Sequence, residues 1–406
     1  MNLPALLESI ADYARAEKYA ISSIRKPSDL HLVWGPLYSR LGLGIGARLF
    51  SLYGFAEVPR STWPDYLVNE PLKARYAAIT SKEARLLADD KIRFFEHCTE
   101  HQIPTVAILA LITPPRPEPT PVRCAYSAHE LAQVLVPGEY FIKPSHGSHG
   151  EGAFALTVSP TGLAWSGNTG SYEDFFQYCI KALARTRSLI VQRKLYNHQT
   201  IRNLTQAKGL STVRVVTFRH SGQIKVLATT IRIVAGDSDV DSFCNGMSGN
   251  LSGAIDVESG TLTTARGSKT KGWPTITDVV HHPRSGAPMV GMRMPYWPEV
   301  LELARKAHVS IDGLHTVGWD VAITDEGPVI VEANWRYDID GLQMTCKKGF
   351  RKIIDDYLAA TPGTASTAST ASTASTDDAN DARPYAKPPR PGLSSIWRSS
   401  PDRSST

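Results

Sequence analysis

The chain has 406 residues, of which 42% are hydrophobic and 20% are charged, with a formal net charge of +5 at pH 7. This length can bury the cores of about two or three subdomains, and the composition is typical of a globular protein. The basic excess is small and forms no dense stripe, so a nucleic-acid partner is not expected.

Residue usage also argues against secretion and membrane insertion. The five cysteines are scattered without paired spacing, so neither a disulfide framework nor a zinc site is indicated. The N-terminal residues lead into an amphipathic run carrying Glu8 and Arg15, unlike a signal peptide. The apolar stretch 41–58 is interrupted by Arg48 and Glu57 and is too broken to span a membrane. We therefore predict a cytoplasmic protein.

The N-terminal part of the chain, residues 1–80, is predicted to be a mostly helical segment and shows no motif for chemistry. The next helix should start near Thr80 and Glu83, whose spacing is that of a capping box, and should run to about His101.

Helices and strands then alternate irregularly as far as about residue 360. We predict strands at 104–110, 139–144, 189–192, 212–218 and 225–234, and helices beginning at Ser127 and Pro298. Because the order shows no strict strand–helix–strand repeat, the fold class is predicted to be α+β.

A loop of small residues follows the strand 139–144 and is a candidate phosphate-binding loop. Lys143 stands at the strand end, and Ser145–Gly152 is rich in serine and glycine. Glycines allow backbone N–H groups to approach phosphate oxygens, and a lysine supplies a point charge. A plain flexible turn is the alternative interpretation of this loop.

Other nucleotide-binding motifs are not supported. The chain contains no Gly-x-x-x-x-Gly-Lys-Ser/Thr run, which excludes a Walker loop. Residues 42–47 satisfy a loose dinucleotide fingerprint, but no clear strand precedes them.

Two apolar runs near residue 325 predict an acidic β-hairpin. The link 325–327 is expected to be a three-residue loop with Gly327 in the left-handed conformation, which places Asp320 opposite Glu332. Side chains alternate along a strand, so Glu332, Asn334 and Arg336 should share one face. Two carboxylates and an amide oxygen suit Mg²⁺. The alternative is a salt-bridged sheet edge with Arg336 as the counter-ion.

The last segment, 361–406, is predicted to be a disordered tail. The triplet Ala-Ser-Thr occurs in tandem from Ala365 to Thr376, and a proline-rich run follows at 387–391. Such a sequence cannot bury enough apolar surface to offset the cost of ordering. Its proline run makes the tail a candidate site for a protein partner.

Taken together, these motifs resemble the ATP-grasp superfamily, and within it the sugar-transfer-associated ATP-grasp family. The resemblance covers about residues 85–350, and the N-terminal 80 residues match only loosely. Its supporting runs are 90–91, 141–152, 189–192, 211–217, 253–256 and 318–336. It implies an ATP-grasp fold, with two α+β subdomains gripping ATP, over residues 81–360.

The resemblance also implies roles for individual residues. Lys91 and Lys143 would grip the nucleotide phosphates. The loop over the β- and γ-phosphates would include Ser145, Gly147, Ser148 and Gly150. The hinge whose backbone reads the adenine edge would be Gln192, Arg193, Lys194 and Leu195; many relatives carry an acid there instead of the Arg-Lys pair.

At the reacting end, the resemblance implies that Asp320, Glu332 and Asn334 hold Mg²⁺ between the phosphates. Arg214 and Arg232 would lie beside the transferring phosphoryl group. The function implied is an ATP-dependent carboxylate–amine (or thiol) ligase that acts through an acyl phosphate on small molecules and releases ADP and phosphate. A small-molecule kinase on the same scaffold and a non-catalytic nucleotide-binding module are the alternatives.

Overall fold

A computed structural model describes residues 3–114, 120–146, 151–184, 186–269 and 273–361. The helices are α1 (Leu3–Ser22), α2 (Gly35–Leu43), α3 (Ala47–Leu52), α4 (Asn69–Ile79), α5 (Lys82–Asp89), α6 (Lys91–Glu100), α7 (Ala128–Ala132), α8 (Tyr172–Leu183), α9 (Gln199–Thr205), α10 (Trp297–Ser310), α11 (Ile339–Cys346) and α12 (Arg351–Ala359). Short 3-10 helices span Pro27–Trp34, Arg60–Asp65 and Cys244–Gly246. The predicted loop residues Gly147, Ser148 and Gly150, and the predicted tail from residue 362 onward, lie outside the described residues.

The described strands form two sheets, one mixed because β1 and β2 pair in parallel, and the other antiparallel throughout. The strands are β1 (Ile108–Ile112), β2 (Cys124–Ala125), β3 (Gly138–Pro144), β4 (Phe154–Ser159), β5 (Gly162–Trp165), β6 (Asn168–Gly170), β7 (Leu189–Arg193), β8 (Thr212–His220), β9 (Gln223–Ile233), β10 (Leu251–Ile255), β11 (Arg266–Ser268), β12 (Ile276–Asp278), β13 (Thr316–Thr324) and β14 (Gly327–Asn334). In the first sheet the strands lie in the order β2-β1-β7-β3-β4-β5-β6, and in the second sheet in the order β12-β11-β10-β9-β8-β13-β14.

Each sheet has its own apolar core. The core of the β3 sheet includes Tyr140, Ile142 and Leu156. The larger core of the β13 sheet packs α10 against β8 and β13 and buries Trp319 completely. The N-terminal helices add an aromatic cluster that includes Phe50, Tyr53, Phe55, Trp63 and Tyr66.

The continuous helix predicted from Thr80 to His101 is wrong, because the chain forms two helices there. Ser81, not Thr80, is the first cap, and its hydroxyl accepts from the Ala84 N–H at 3.1 Å. The break falls at Asp90, whose carboxylate accepts from the N–H groups of Ile92 and Arg93 at 2.9 and 3.2 Å. Aspartate is a strong N-cap, so it starts a new helix, with Lys91 as its first residue.

The strand predicted at 104–110 is displaced toward the C-terminus. The strand itself covers Ile108–Ile112. Residues 104 and 105 instead contact β14: the Ile330 N–H donates to the Pro104 carbonyl at 2.9 Å, and Thr105 forms an isolated bridge with Ile330. Apolar character alone did not reveal this change of partner.

The acidic hairpin has the predicted pairing but not the predicted turn. Thr324 pairs with Gly327, so the link contains two residues rather than three. A β-bulge between Asp320 and Val321 then shifts the register by one residue, and Asp320 pairs with Glu332 as predicted. An extra residue in one strand compensates for the shorter turn.

Candidate active site

Residues from both sheets line one cavity of about 520 Å³. It brings together seven of the predicted site residues: Lys91, Lys143, Arg214, Arg232, Asp320, Glu332 and Asn334. They come from α6, β3, β8, β9, β13 and β14, so the site depends on how the two sheets pack together.

The acidic hairpin forms one wall of the cavity. Asp320 lies directly across from Glu332, and the Asn334 side-chain amide donates to Asp320 Oδ2 at 3.3 Å. Oxygen ligands of this kind fit a hard divalent cation. Among the described residues, no three His, Cys, Asp or Glu side chains form a metal-binding group. A cation here would therefore need the Asn334 oxygen and ligands from outside the protein, such as phosphate.

Asp320 is also the centre of an ion-pair network. Arg214 donates to both of its oxygens, and Arg232 Nη2 lies 2.6 Å from Oδ2. Burial would raise the pKa of Asp320, but the two guanidinium groups hold the pKa below its usual value. The alternative of a salt-bridged edge named the wrong counter-ion: Asp320 and Glu332 are ion-paired, but with Arg214, Arg232 and Lys91. Arg336 lies beyond β14, and its guanidinium is 4.6 Å from the Trp335 ring.

Asp241 belongs to the same network and was not predicted. Its Oδ2 accepts from the N–H and hydroxyl of Thr212 at 2.9 and 2.5 Å, and lies 3.4 Å from Arg232 Nε. The Thr212 hydroxyl also accepts from Arg232 Nη2 at 2.8 Å. Burial raises the pKa of Asp241, although Arg232 opposes this effect. Its loop carries no periodic pattern, so the sequence offered no signal for the contact.

The two lysines of the site differ in their surroundings. Lys91 Nζ lies 3.0 Å from Glu332 Oε1. Lys143 forms no hydrogen bond, and no ion pair within 4.0 Å, with the described residues. Burial lowers the pKa of Lys143 to about 8; Glu332 and Asp320 oppose this shift, whereas Lys91 adds to it. A half-buried ammonium without a partner is costly unless an anion meets it.

The remaining predicted residues that the structure describes lie outside the lining of this cavity. Ser145 is buried and accepts a hydrogen bond from the Ser188 hydroxyl at 2.9 Å. The Gln192 amide donates to the Val106 carbonyl at 3.0 Å, and the Lys194 N–H donates to the Glu139 carbonyl at 3.0 Å. The Arg193 guanidinium lies 4.7 Å from the Tyr140 ring.

Lys194 and Leu195 line a second, more open pocket of about 350 Å³. The Lys194 ammonium also lies 3.9 Å from Asp239, which lines the main cavity. Adenine recognition by Gln192, Arg193, Lys194 and Leu195 therefore stays a prediction.

A sequence model of one protein family, described as sugar-transfer associated ATP-grasp, matches residues 72–357. The chain is similar in structure to D-alanyl-alanine synthetase A from Vibrio cholerae O1 biovar eltor str. N16961, with 13% identity, a TM-score of 0.43, and coverage of 70% of this chain and 67% of that chain. For D-alanine-D-alanine ligase from Helicobacter pylori, the identity is 9% and the TM-score 0.41, with coverage of 70% of this chain and 62% of that chain. For N5-carboxyaminoimidazole synthetase from Staphylococcus aureus complexed with ADP, the identity is 12% and the TM-score 0.40, with coverage of 70% of this chain and 54% of that chain.

The chain thus spans less than two thirds of the last two structures. No curated protein sequence matches it. None of the helices in the described part of the chain has the length and apolar character required to cross a bilayer.

The two sheets, with residues of both lining one cavity, define an ATP-grasp fold, as the sequence motifs predicted. The chain belongs to the sugar-transfer associated ATP-grasp family, because the family model covers residues 72–357.

Proposed function

We propose that the protein is an ATP-dependent carboxylate–amine (or thiol) ligase that forms an acyl phosphate and releases ADP and phosphate. The observation that carries this proposal is the position of Lys143. It lines a cavity in which it has no hydrogen-bond or ion-pair partner among the described residues, together with Lys91 and the two arginines. These four positively charged side chains, gathered in the same cavity as the acidic hairpin, support binding of a triphosphate.

The side chains of the cavity supply charge neutralisation and positioning, which are the main requirements of phosphoryl transfer. Lys143 and Lys91 would bind phosphate oxygens, with Lys91 turning from Glu332. Arg214 and Arg232, held by Asp320, would face the phosphoryl group being transferred. Asp320, Glu332 and Asn334 would hold Mg²⁺, which neutralises phosphate charge when bound. Phe141 and Val331 line the same cavity and offer an apolar surface for the base.

The proposed reaction needs no covalent intermediate on the protein. A carboxylate oxygen of the substrate attacks the γ-phosphorus, the bond from that phosphorus to ADP breaks, and an acyl phosphate forms. The amine nitrogen then attacks the carbonyl carbon and phosphate leaves, while the nitrogen loses a proton. Arg214 and Arg232 can stabilise the negative charge in both steps because a guanidinium group is a permanent positive charge in proteins.

Product analysis tests the ligase proposal. We expect ATP turnover to yield ADP and phosphate when a suitable carboxylate is present, and hydroxylamine to trap an acyl hydroxamate. AMP and pyrophosphate as products would refute the acyl-phosphate proposal and indicate adenylation. A stable phosphorylated acceptor without amine dependence would identify the kinase alternative. ATP binding without turnover across a library of small carboxylates and amines would favour the non-catalytic module.

Asp241→Asn should lower kcat by about 10–100-fold while changing the KM for ATP by less than about threefold. Asparagine keeps the shape and one acceptor oxygen, but it removes the carboxylate charge beside Arg232 Nε, whereas Asp320 still meets Arg232 Nη2. Steady-state kinetics measure the changes in kcat and in the KM for ATP separately. The matched control is Asp237→Asn, since Asp237 is 94% exposed and pairs with Arg284 outside the cavity. Equal effects of the two substitutions would contradict a positioning role for Asp241.

A further inference from the structure

Helix α2 has an unusual arrangement of residue sizes. Its inward side consists of small residues, since Gly35, Pro36 and Ser39 are buried. Its outward side, which we call the α2 face, carries large apolar side chains. The α2 face consists of Trp34, Leu37, Tyr38 and Leu41, whose exposed fractions are 69%, 45%, 39% and 78%. Spacings of one and three residues put Leu37, Tyr38 and Leu41 on one side of the helix, and Trp34 directly precedes its first turn.

The helix cannot simply turn this face inward. A Cβ atom added at Gly35 would meet the Phe50 ring at 3.0 Å and Trp63 at 3.4 Å. The α2 backbone is therefore packed closely against the aromatic cluster, and only a residue as small as glycine fits there without displacing a ring. The large residues on the opposite side are consequently fixed in an outward position.

Exposed apolar side chains are concentrated in this region. Among the described residues, nineteen large hydrophobic side chains are exposed, and nine of them lie between residues 3 and 43. Single exposed apolar residues are common on protein surfaces, but a contiguous patch marks an interaction site. The other exposed residues of this region are Leu6, Leu7, Ile10, Ile21 and Leu30.

Two arginines flank the α2 face. The Arg60 guanidinium lies 4.2 Å from the Tyr38 ring centroid, and Arg40 is the one charged residue of α2 itself. Between residues 24 and 60 the sequence has five basic and two acidic residues. One of the acids, Asp29, accepts hydrogen bonds from the N–H groups of Arg25 and Lys26 at 3.0 and 3.2 Å.

This charge pattern selects between the surfaces that could cover the α2 face. A second copy of the chain would bring Arg40 and Arg60 close to the same residues of its partner, where like charges repel. An anionic lipid surface would instead attract both arginines. Tryptophan and tyrosine are also the side chains that favour the level of the lipid headgroups, with leucine reaching below them.

We propose that the α2 face binds the surface of an anionic lipid bilayer, with Trp34, Leu37 and Leu41 at the boundary of headgroups and acyl chains. Arg40 and Arg60 contact the lipid phosphates. This is a peripheral contact, in which no segment crosses the bilayer. It is independent of the proposed ligase activity, because none of these residues lines the cavity.

Co-sedimentation of the full chain with lipid vesicles tests this proposal. We expect the wild type to bind vesicles of phosphatidylcholine with 30% phosphatidylglycerol at least about tenfold more tightly than pure phosphatidylcholine vesicles. The triple variant Trp34→Ser, Leu37→Ser, Leu41→Ser should lose this binding. Arg40→Glu with Arg60→Glu should lose the preference for anionic lipid.

A matched control shows whether the effect belongs to this face. Leu86, Val280 and Val309 are 47%, 64% and 59% exposed elsewhere on the protein. Their triple serine variant should sediment as the wild type does. Circular dichroism and light scattering verify the fold and mass of each variant. Absent wild-type binding to the anionic vesicles, or undiminished binding in the α2 triple variant, would overturn the proposal. So would a wild-type dimer that this variant converts to a monomer without any vesicle binding.

Discussion

Glu332→Gln should reduce ATP turnover by on the order of 10²–10³-fold while the protein stays folded. Glutamine has the same shape and retains one acceptor oxygen, so packing changes little. It removes the charge that faces Lys91 at 3.0 Å and that would help to hold Mg²⁺. Mg²⁺ with ATP should stabilise the wild type against heat, because a ligand that binds only the native state raises its stability. That stabilisation should shrink in the variant.

Two further variants and a control complete this test. Asn334→Ala should give the same pattern as Glu332→Gln. Asp320→Asn should lose activity and also some fold stability, because its buried carboxylate pairs with both Arg214 and Arg232. Glu326→Gln, in the exposed turn of the same hairpin, should change neither property. An undiminished response to Mg²⁺ and ATP in Glu332→Gln and Asn334→Ala would remove the metal role from the hairpin.

Lys143→Met should change ATP affinity and fold stability in opposite directions. Methionine fills similar space without a charge, so the ATP dissociation constant should rise by at least about tenfold. Without ligand, the variant should be more stable than the wild type at pH 7, by on the order of 1–3 kcal/mol. The reason is that burial lowers the pKa of Lys143 to about 8 from 10.5 in the unfolded chain.

The pH dependence follows from the sign of this shift. Between pH 8 and 10.5 the unfolded chain binds more protons at Lys143 than the folded chain does, so the free energy of unfolding rises with pH in this range. The destabilisation caused by the buried charge is therefore complete below about pH 8 and disappears as the pH rises toward 10.5. Binding of ATP should weaken above about pH 8, where the amine loses its charge. Calorimetric titration and thermal melts measure both effects, with Lys225→Met on the exposed part of β9 as the control. If Lys143→Met binds ATP as tightly as the wild type and is less stable than the wild type, Lys143 is a structural residue and does not bind the nucleotide.

The sequence predicted which residues line the site better than it predicted the turns and helix boundaries that position them. Asp320 and Glu332 were paired correctly although the predicted turn between the strands was wrong. The two-residue turn and the bulge were missed individually, since each depends on local backbone energetics and their errors cancelled. The start of α6 at Asp90 was overlooked because the amphipathic pattern continues across the break.

Long-range contacts account for what could not be predicted. The Arg232–Asp241 pair joins β9 to a loop, and the Lys91–Glu332 pair joins α6 to β14. Which cation meets which carboxylate depends on the packing of whole elements, and local periodicity contains no information about it. For the same reason, the inverted sizes on the two sides of α2 became visible only when the aromatic cluster behind Gly35 was known.

The most direct test of the central claim is a crystal structure of the protein with Mg²⁺ and a non-hydrolysable ATP analogue. We predict the triphosphate in the cavity between the two sheets, with its oxygens bound by Lys91 and Lys143 and facing Glu332 and Asn334. Nucleotide bound in the pocket beside Lys194 and Leu195, or in the cavity with its phosphates away from both lysines, would contradict this account.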